Sequence, residues 1–384
     1  MKVVIIDQIS KVNYKYTFSL CNQLVNNDVD LILINDQKKD MNECKIDYKQ
    51  WFNSTEDSNK ISKGINYISA WRKVISLIKE KKIDILHVQW FLLSPIDYYF
   101  ISKAKKLGIK ILVTIHDILP FNTKFYDYKY HKKIYQIADS IIVQGEVNKT
   151  KLLNLFPDIE NLQSKTVYIP HGNFVDYVEE VKKNDARKYL NLPENKVILL
   201  FFGQIKKVKG LDVLIKAMKQ VCDKRKDVLL VIAGKVWDDN FEVYDKLINE
   251  NGLTDFIRGD IKYIADQDVK YYFGSSDVVI LPYKNVYQSG VVQLAYSYKK
   301  PVIATNVGAF KEVVENEISG LLVPPDNVEC LSNAILSMIN DKEKLDKYGV
   351  NGYKIINDKF GWPEIASKVY NIYSLLINKS NQHS

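Results

Sequence analysis

The chain has 384 residues, 46% hydrophobic and 26% charged, with a formal charge of +8, enough to bury two ordinary cores and to exclude a disordered or fibrous chain. The longest apolar runs, such as Val197–Phe202, stop far short of the roughly 20 residues of a membrane-spanning helix. Four scattered cysteines, Cys21, Cys44, Cys222 and Cys330, form no C-x-x-C pair, which argues against a zinc site or a disulfide framework and for a reducing compartment. The basic balance suits diphosphates or an anionic lipid surface, and equally plain solvation of the surface.

In chain order, Val3–Ile6 followed at once by Asp7 reads as a first strand rather than an export segment, so the expected location is cytoplasmic. Apolar, β-branched runs follow at Val29–Ile34, Ile83–Val88, Ile109–Ile115, Ser140–Val143 and Val167–Ile169. A second series comprises Val197–Phe202, Val228–Ala233, Val278–Leu281, Val302–Ala304 and Leu321–Val323. Amphipathic stretches separate these runs, the alternation of an α/β fold with parallel strands. The expectation is two Rossmann-like domains, 1–178 and 196–361, joined by a charged linker over 179–195 that ends in the turn Leu192-Pro193-Glu194-Asn195. Residues 362–384 open with proline at a helix start and are expected to form a terminal helix and tail returning to the N-terminal domain. No G-x-G-x-x-G follows any strand, which weighs against a nicotinamide-dependent dehydrogenase.

Two loops after strands carry the chemistry. Val197–Phe202 runs into Gly203-Gln204-Ile205-Lys206-Lys207-Val208-Lys209-Gly210, where glycine lets the backbone turn closely and clustered lysines can meet a diphosphate. Read blandly, it is a solvated basic turn. Val278–Leu281 leads to Tyr287-Gln288-Ser289-Gly290-Val291, in which Ser289 is a predicted N-cap. The helix after it presents the free N–H groups of Gly290 and Val291, and its positive end, to an anion. The bland alternative is an ordinary capped helix. His116 follows its strand at the sheet edge; His87, inside a strand, reads as packed; His171, beside Gly172 and Asn173, reads as a weaker lining residue.

The run Pro301-Val302-Ile303-Ala304-Thr305-Asn306-Val307-Gly308, with Glu312, Gly320-Leu321-Leu322-Val323 and Pro324-Pro325, resembles the C-terminal domain of glycosyltransferase family 4, the retaining enzymes of GT-B fold. Gly203–Ala217 is similar to that family's G-R-x-x-x-x-K-G-x-D-x-L-x-x-A. Asp84–Trp90, Thr114–Asp117, Ala138–Val143 and Ile169–Gly172 look like its N-terminal landmarks. The resemblance implies two Rossmann-like domains facing a cleft, the first for the acceptor and the second for the donor. It implies Lys209 and His116 as catalytic residues, Lys209 at the donor diphosphate and His116 at the donor sugar. Gln204, Lys206, Tyr287, Gln288, Ser289, Gly290, Val291 and Glu312 are then donor-binding residues, and His171, Asn173 and Tyr263 line the cleft, with base contacts made by main chain around Lys235 and Tyr263.

Two departures stand out. The family's E-x7-E pair falls on Val286 and Leu294, so the chain resembles a branch with Y-Q-S-G-V at this loop, and Gln204 replaces the usual arginine. The implied activity is transfer of a hexose-type sugar from a UDP- or GDP-linked donor to a glycan or lipid-linked acceptor, with no cofactor, metal or nucleic acid and with peripheral contact to an anionic membrane. The lost carboxylates leave two alternatives, a nucleotide-sugar epimerase of the same fold and a non-catalytic nucleotide-sugar sensor.

Overall fold

The computed structural model describes residues 1–36, 46–52, 60–120, 123–237, 239–286 and 290–381. The predicted alternation becomes two all-parallel sheets. The first contains β1 (Lys2–Asp7), β2 (Asp30–Asn35), β3 (Asp47–Gln50), β4 (Ile85–Val88), β5 (Lys110–Ile115), β6 (Ser140–Val143) and β7 (Thr166–Tyr168), in the order β3-β2-β1-β4-β5-β6-β7. The second contains β8 (Val197–Phe202), β9 (Val228–Ala233), β10 (Ile257–Asp260), β11 (Val278–Leu281), β12 (Val302–Thr305) and β13 (Gly320–Val323), in the order β10-β9-β8-β11-β12-β13. Helices cover parallel sheets on both faces, so central strands such as Val3–Ile6 are continuous apolar runs buried throughout.

Strands β3 and β10 were not anticipated. Each is the edge of its sheet, where a strand pairs on one side only and tolerates polar residues. Asp47–Gln50 contains no aliphatic residue; it is held by its ladder to β2 and by the Tyr48 hydroxyl donating to Asn35 Oδ1 at 2.6 Å. In β10, Arg258 and Asp260 pair with each other at 3.1 Å.

The chain divides into two compact units, Met1–His171 with Trp362–Ser384, and Gly172–Gly361. The terminal helix Trp362–Asn381 returns to the first unit as expected. Trp362, Ile365, Ala366, Val369, Tyr373 and Leu376 recur at helical spacing and are buried with Tyr16, Leu20, Cys21 and Leu24 of helix Ser10–Asn26. A valine, leucine or isoleucine contributes roughly 1.5–3 kcal/mol when fully buried, so a charge at Val369 would undock the helix. The stretch 179–195, expected as a linker, supplies helix Lys183–Tyr189 to the second unit. There Arg187 donates to Asp277 Oδ2 at 2.9 Å and to the Ser275 carbonyl at 3.2 Å.

Candidate functional site

Ligands of open parallel sheets bind at the carboxyl ends of the strands. In the first sheet those ends carry Asp7, Gln89, His116 and Gln144, all buried; Asp7 is bonded to Thr17, and the other three are joined in one network. Tyr373 Oη meets His87 Nδ1 at 2.7 Å, and His87 Nε2 meets Thr114 Oγ1 at 2.7 Å and Gln89 Nε2 at 3.3 Å. His116 Nε2 meets Gln89 Oε1 at 3.1 Å, and His116 Nδ1 meets the Gln144 side-chain amide at 3.0 Å. Burial drives the pKa of both imidazoles down to about 3, with His171 and His87 adding like-charge repulsion at His116. Both are neutral at pH 7.

A neutral ring donates from one nitrogen and accepts at the other, so one glutamine turns its NH2 to His116. Gln144 is suited to it, because its carbonyl then faces the Tyr16 hydroxyl that lies against it. His116 is thus neutral and engaged at both nitrogens within the first unit, which suits positioning rather than proton transfer.

His116 nevertheless lines a cavity of about 230 Å³, together with Gln89, Trp90, Leu92, Asp117, Lys124 and His131. Trp90 stacks on His116 with ring centroids 4.6 Å apart. Two lining residues keep a buried polar atom without a hydrogen-bond partner among the described residues: Trp90 Nε1, a donor, and His131 Nε2. His131 Nδ1 reaches the Ile118 carbonyl at 3.3 Å, so its proton sits there and Nε2 is an acceptor. Sequence reasoning quoted Gln89-Trp90 as a landmark without giving either a role; the signal was the switch from apolar to polar at the end of β4.

In the second unit the loops after β8 and β11 converge. Gly210 has φ +66°, and a methyl group on it would stand 2.0 Å from the Pro282 carbonyl oxygen, so only glycine lets the loops nest. Gly203 adjoins both Lys209 and the helix Gly290–Ser297: a methyl group there would stand 3.2 Å from Lys209 Nζ and 3.6 Å from Val291 Cγ2. Lys209 Nζ also lies 5.1 Å from the centre of the Tyr283 ring, and among the described residues it has no carboxylate partner. Its neighbour Lys284 is neutralised by Asp212 at 2.9 Å and Asp326 at 3.2 Å.

Gln204 is exposed and Lys206 half-buried, on either side of buried Ile205, which forms a bridge to Val236. Lys206 Nζ lies 5.9 Å from the Trp237 ring centre. The helix starts at Gly290 as expected, while Tyr287, Gln288 and Ser289 lie outside the described residues. Val286 is buried and Leu294, partly buried, packs against the same apolar cluster, so the two positions on which the carboxylate pair was expected to fall face apolar surroundings. Glu312 is half-buried on the short helix Phe310–Val313, and Tyr263 is exposed.

His171 is buried in the first unit with its ring 4.9 Å from Tyr16. Asn173 is buried in the second, where its side chain donates to the Ile356 carbonyl at 3.0 Å and accepts from Val175 N–H at 3.2 Å. Among the described residues no three His, Cys, Asp or Glu side chains form a metal-holding group, and no helix is long and apolar enough to cross a membrane.

Residues 182–355 match the family described as Glycosyl transferases group 1, and residues 8–145 the family described as Glycosyl transferase 4-like. The uncharacterized glycosyltransferase MJ1178 of Methanocaldococcus jannaschii is 26% identical over 321 residues, 82% of each chain. Among solved structures, sucrose-phosphate synthase from Thermosynechococcus elongatus aligns with a TM-score of 0.78 at 19% identity, covering 99% of this chain and 100% of that one. Anabaena Alr3699/HepE in complex with UDP-glucose aligns with a TM-score of 0.75 at 17% identity, covering 97% and 99%. Matched in both halves, the chain belongs to the group 1 glycosyltransferases, the family 4 enzymes of retaining mechanism and GT-B fold.

Proposed function

We propose that the protein transfers a hexose from a UDP- or GDP-linked donor to a hydroxyl of a glycan or lipid-linked acceptor, in the synthesis of a cell-surface polysaccharide at the inner membrane face. The observation that carries the donor half is Lys209, a cation without a carboxylate partner among the described residues. It stands beside Gly203 and the first turn of the helix Gly290–Ser297. A diphosphate there meets a full positive charge, the free N–H groups of a helix start and a glycine that permits close approach. The likeness in fold to Anabaena Alr3699/HepE, solved in complex with UDP-glucose, favours a uridine donor.

The acceptor half is the cavity beside His116. Its unmatched donor on Trp90 and acceptor on His131 are what a hydroxyl, which both donates and accepts, would complement, and the Trp90 ring suits the apolar face of a sugar. In the retaining reaction the bond from the anomeric carbon to the diphosphate breaks as positive charge develops on that carbon, and the acceptor hydroxyl oxygen bonds to the carbon from the face that the diphosphate leaves. The departing phosphate oxygen takes the acceptor proton, and Lys209 with the helix start stabilises the leaving charge, so no metal is required. His116, neutral and held by Gln89 and Gln144, positions the wall of the acceptor cavity.

Incubation with UDP- and GDP-hexoses tests this reading. It expects nucleotide release coupled to transfer and loss of UDP binding in Lys209→Ala. Nucleotide binding unaffected by Lys209→Ala would move the donor site elsewhere.

A further inference from the structure

We propose that Tyr283 is a positioning residue for the donor diphosphate, its ring face holding the Lys209 ammonium in place without neutralising it. This rests on the reading of Lys209 as the diphosphate cation and names the group that keeps it there.

The backbone on either side sets the two residues against each other. Val208 and Gly210 flank Lys209, and Pro282 and Lys284 flank Tyr283. Lys284 N–H donates to the Val208 carbonyl at 2.8 Å, and a methyl group on Gly210 would stand 2.0 Å from the Pro282 carbonyl oxygen. With 208 tied to 284 and 210 nested on 282, position 209 is held against position 283. Lys209 Nζ lies 5.1 Å from the centre of the Tyr283 ring, within the roughly 6 Å over which a cation is drawn to the negative face of an aromatic ring.

The ring is fixed in turn. Tyr283 is 2% exposed, its ring packs on Phe310 with centroids 5.2 Å apart, and Thr305 Oγ1 donates to its carbonyl at 2.5 Å. Its hydroxyl is buried and has no hydrogen-bond partner among the described residues, so it is the ring that the lysine meets.

Charge explains why a ring holds this lysine and carboxylates hold its neighbour. Lys284 is gripped by Asp212 and Asp326, and a diphosphate reaching it would have to displace both. Lys209 is half-buried. Left unheld, it would give up the rotamer freedom of its long stem on binding an anion; held by an acid, it would meet the anion with its charge already cancelled. The π face orders the ammonium and leaves its full charge for the phosphates. Because the ring is buried, water screens that attraction less than at an open surface.

The test is calorimetric titration of UDP and of GDP into the full chain and its variants, carried on with the nucleotide that the wild type binds. The conservative Tyr283→Phe, which keeps the ring and loses only the hydroxyl, should retain wild-type affinity. Tyr283→Leu should weaken binding about 5- to 30-fold. Phenylalanine carrying three ring fluorines at position 283 preserves the ring's shape, and so the fold, while draining its negative face; it should bind as weakly as Tyr283→Leu. In a Lys209→Ala background neither change should weaken binding further by more than about twofold, because the ring acts through the lysine, whereas a role in packing alone would be felt with or without it. Normal binding by the fluorinated protein, losses that simply add to that of Lys209→Ala, or equal weakening by Tyr283→Phe and Tyr283→Leu would each overturn the positioning role alone. A wild type that binds neither nucleotide, or binding that Lys209→Ala leaves unchanged, overturns the donor reading beneath it and the proposal with it.

Discussion

Trp90 lies flat on the imidazole of His116, the ring planes within 15° of parallel, while Gln89 and Gln144 hold the two ring nitrogens. A ring so held is fixed in place and, with its pKa driven to about 3 by burial, carries no charge between pH 5 and 8. His116→Ala should therefore lower kcat by up to about 100-fold through misplacement of the cavity wall, with the nucleotide Kd unchanged. The wild-type kcat profile should show no inflection near pH 6.5 that this variant removes. An inflection lost with the imidazole would make His116 a proton carrier instead.

Two lysines in neighbouring loops give a controlled comparison. Lys209 has no carboxylate partner among the described residues, whereas Lys284 is held by Asp212 and Asp326. A charge-assisted hydrogen bond contributes roughly 1.5–3 kcal/mol, so Lys209→Ala should cost about 10- to 150-fold in kcat/KM. Lys284→Ala, losing a half-exposed ion pair, should shift stability by no more than about 1 kcal/mol and leave catalysis near wild type. Steady-state kinetics on both variants decide it, and equal losses would contradict the assignment.

The same loop offers a finer comparison between Gln204 and Lys206. Gln204 stands where the family carries arginine and is exposed, while Lys206 lies against the Trp237 ring. If Lys206 supplies the missing cation, Lys206→Ala should cost more in kcat/KM than Gln204→Ala, within the same 10- to 150-fold range and reduced by solvent screening. Wild-type efficiency in the Lys206 variant would leave Lys209 as the diphosphate cation.

What the sequence made legible follows from what each residue must satisfy. Central strands such as Val197–Phe202 are buried on both faces and must be apolar, so they announce themselves. Asp47–Gln50 and Ile257–Asp260 lie at sheet edges, are free to be polar, and read as loop. The helix start at Gly290 was legible because a serine, a residue type that favours helix starts, precedes a glycine after a parallel strand. The pairing of Lys284 with Asp212 and Asp326 was not, because it joins residues 72 and 42 apart that only the nested loops bring together. Gln89 and Gln144, which hold His116, were missed for the same reason: neither has a spacing relation to the histidine along the chain.

Stability should also depend on pH through Asp7. Its carboxyl is fully buried at the end of β1, accepting from Thr17 Oγ1 at 2.6 Å, and burial raises its pKa from 3.8 to about 7. The folded state then binds more protons than the unfolded state between about pH 4 and 7, so this group's contribution falls as pH rises through that window and is flat beyond it. Asp7→Asn, which has no charge to bury, should flatten the decline by on the order of a few kcal/mol. Urea unfolding of both proteins at pH 4.5 and 8 measures the difference, and parallel pH dependences would show Asp7 ionised in the fold.

The last prediction concerns how Gly290 can be tested at all. A methyl group on Gly290 would stand 3.3 Å from Phe174 Cε2 and 3.4 Å from Cζ, so any side chain there crowds that ring as well as any ligand over the helix start. Gly290→Val is therefore a poor probe, since loss of binding could come from displacement of Phe174. Gly290→Ala paired with Phe174→Leu separates the causes, because the smaller partner removes the ring atoms the new methyl would meet. If the diphosphate lies over the N–H groups of Gly290 and Val291, nucleotide affinity should fall by about tenfold in Gly290→Ala, as for loss of one good anion contact, and stay low in the double variant. Phe174→Leu alone should bind normally. Thermal shift and calorimetry against UDP would read both affinity and fold; recovery of affinity in the double variant would show that Gly290 serves packing against Phe174 and that the phosphates rest elsewhere.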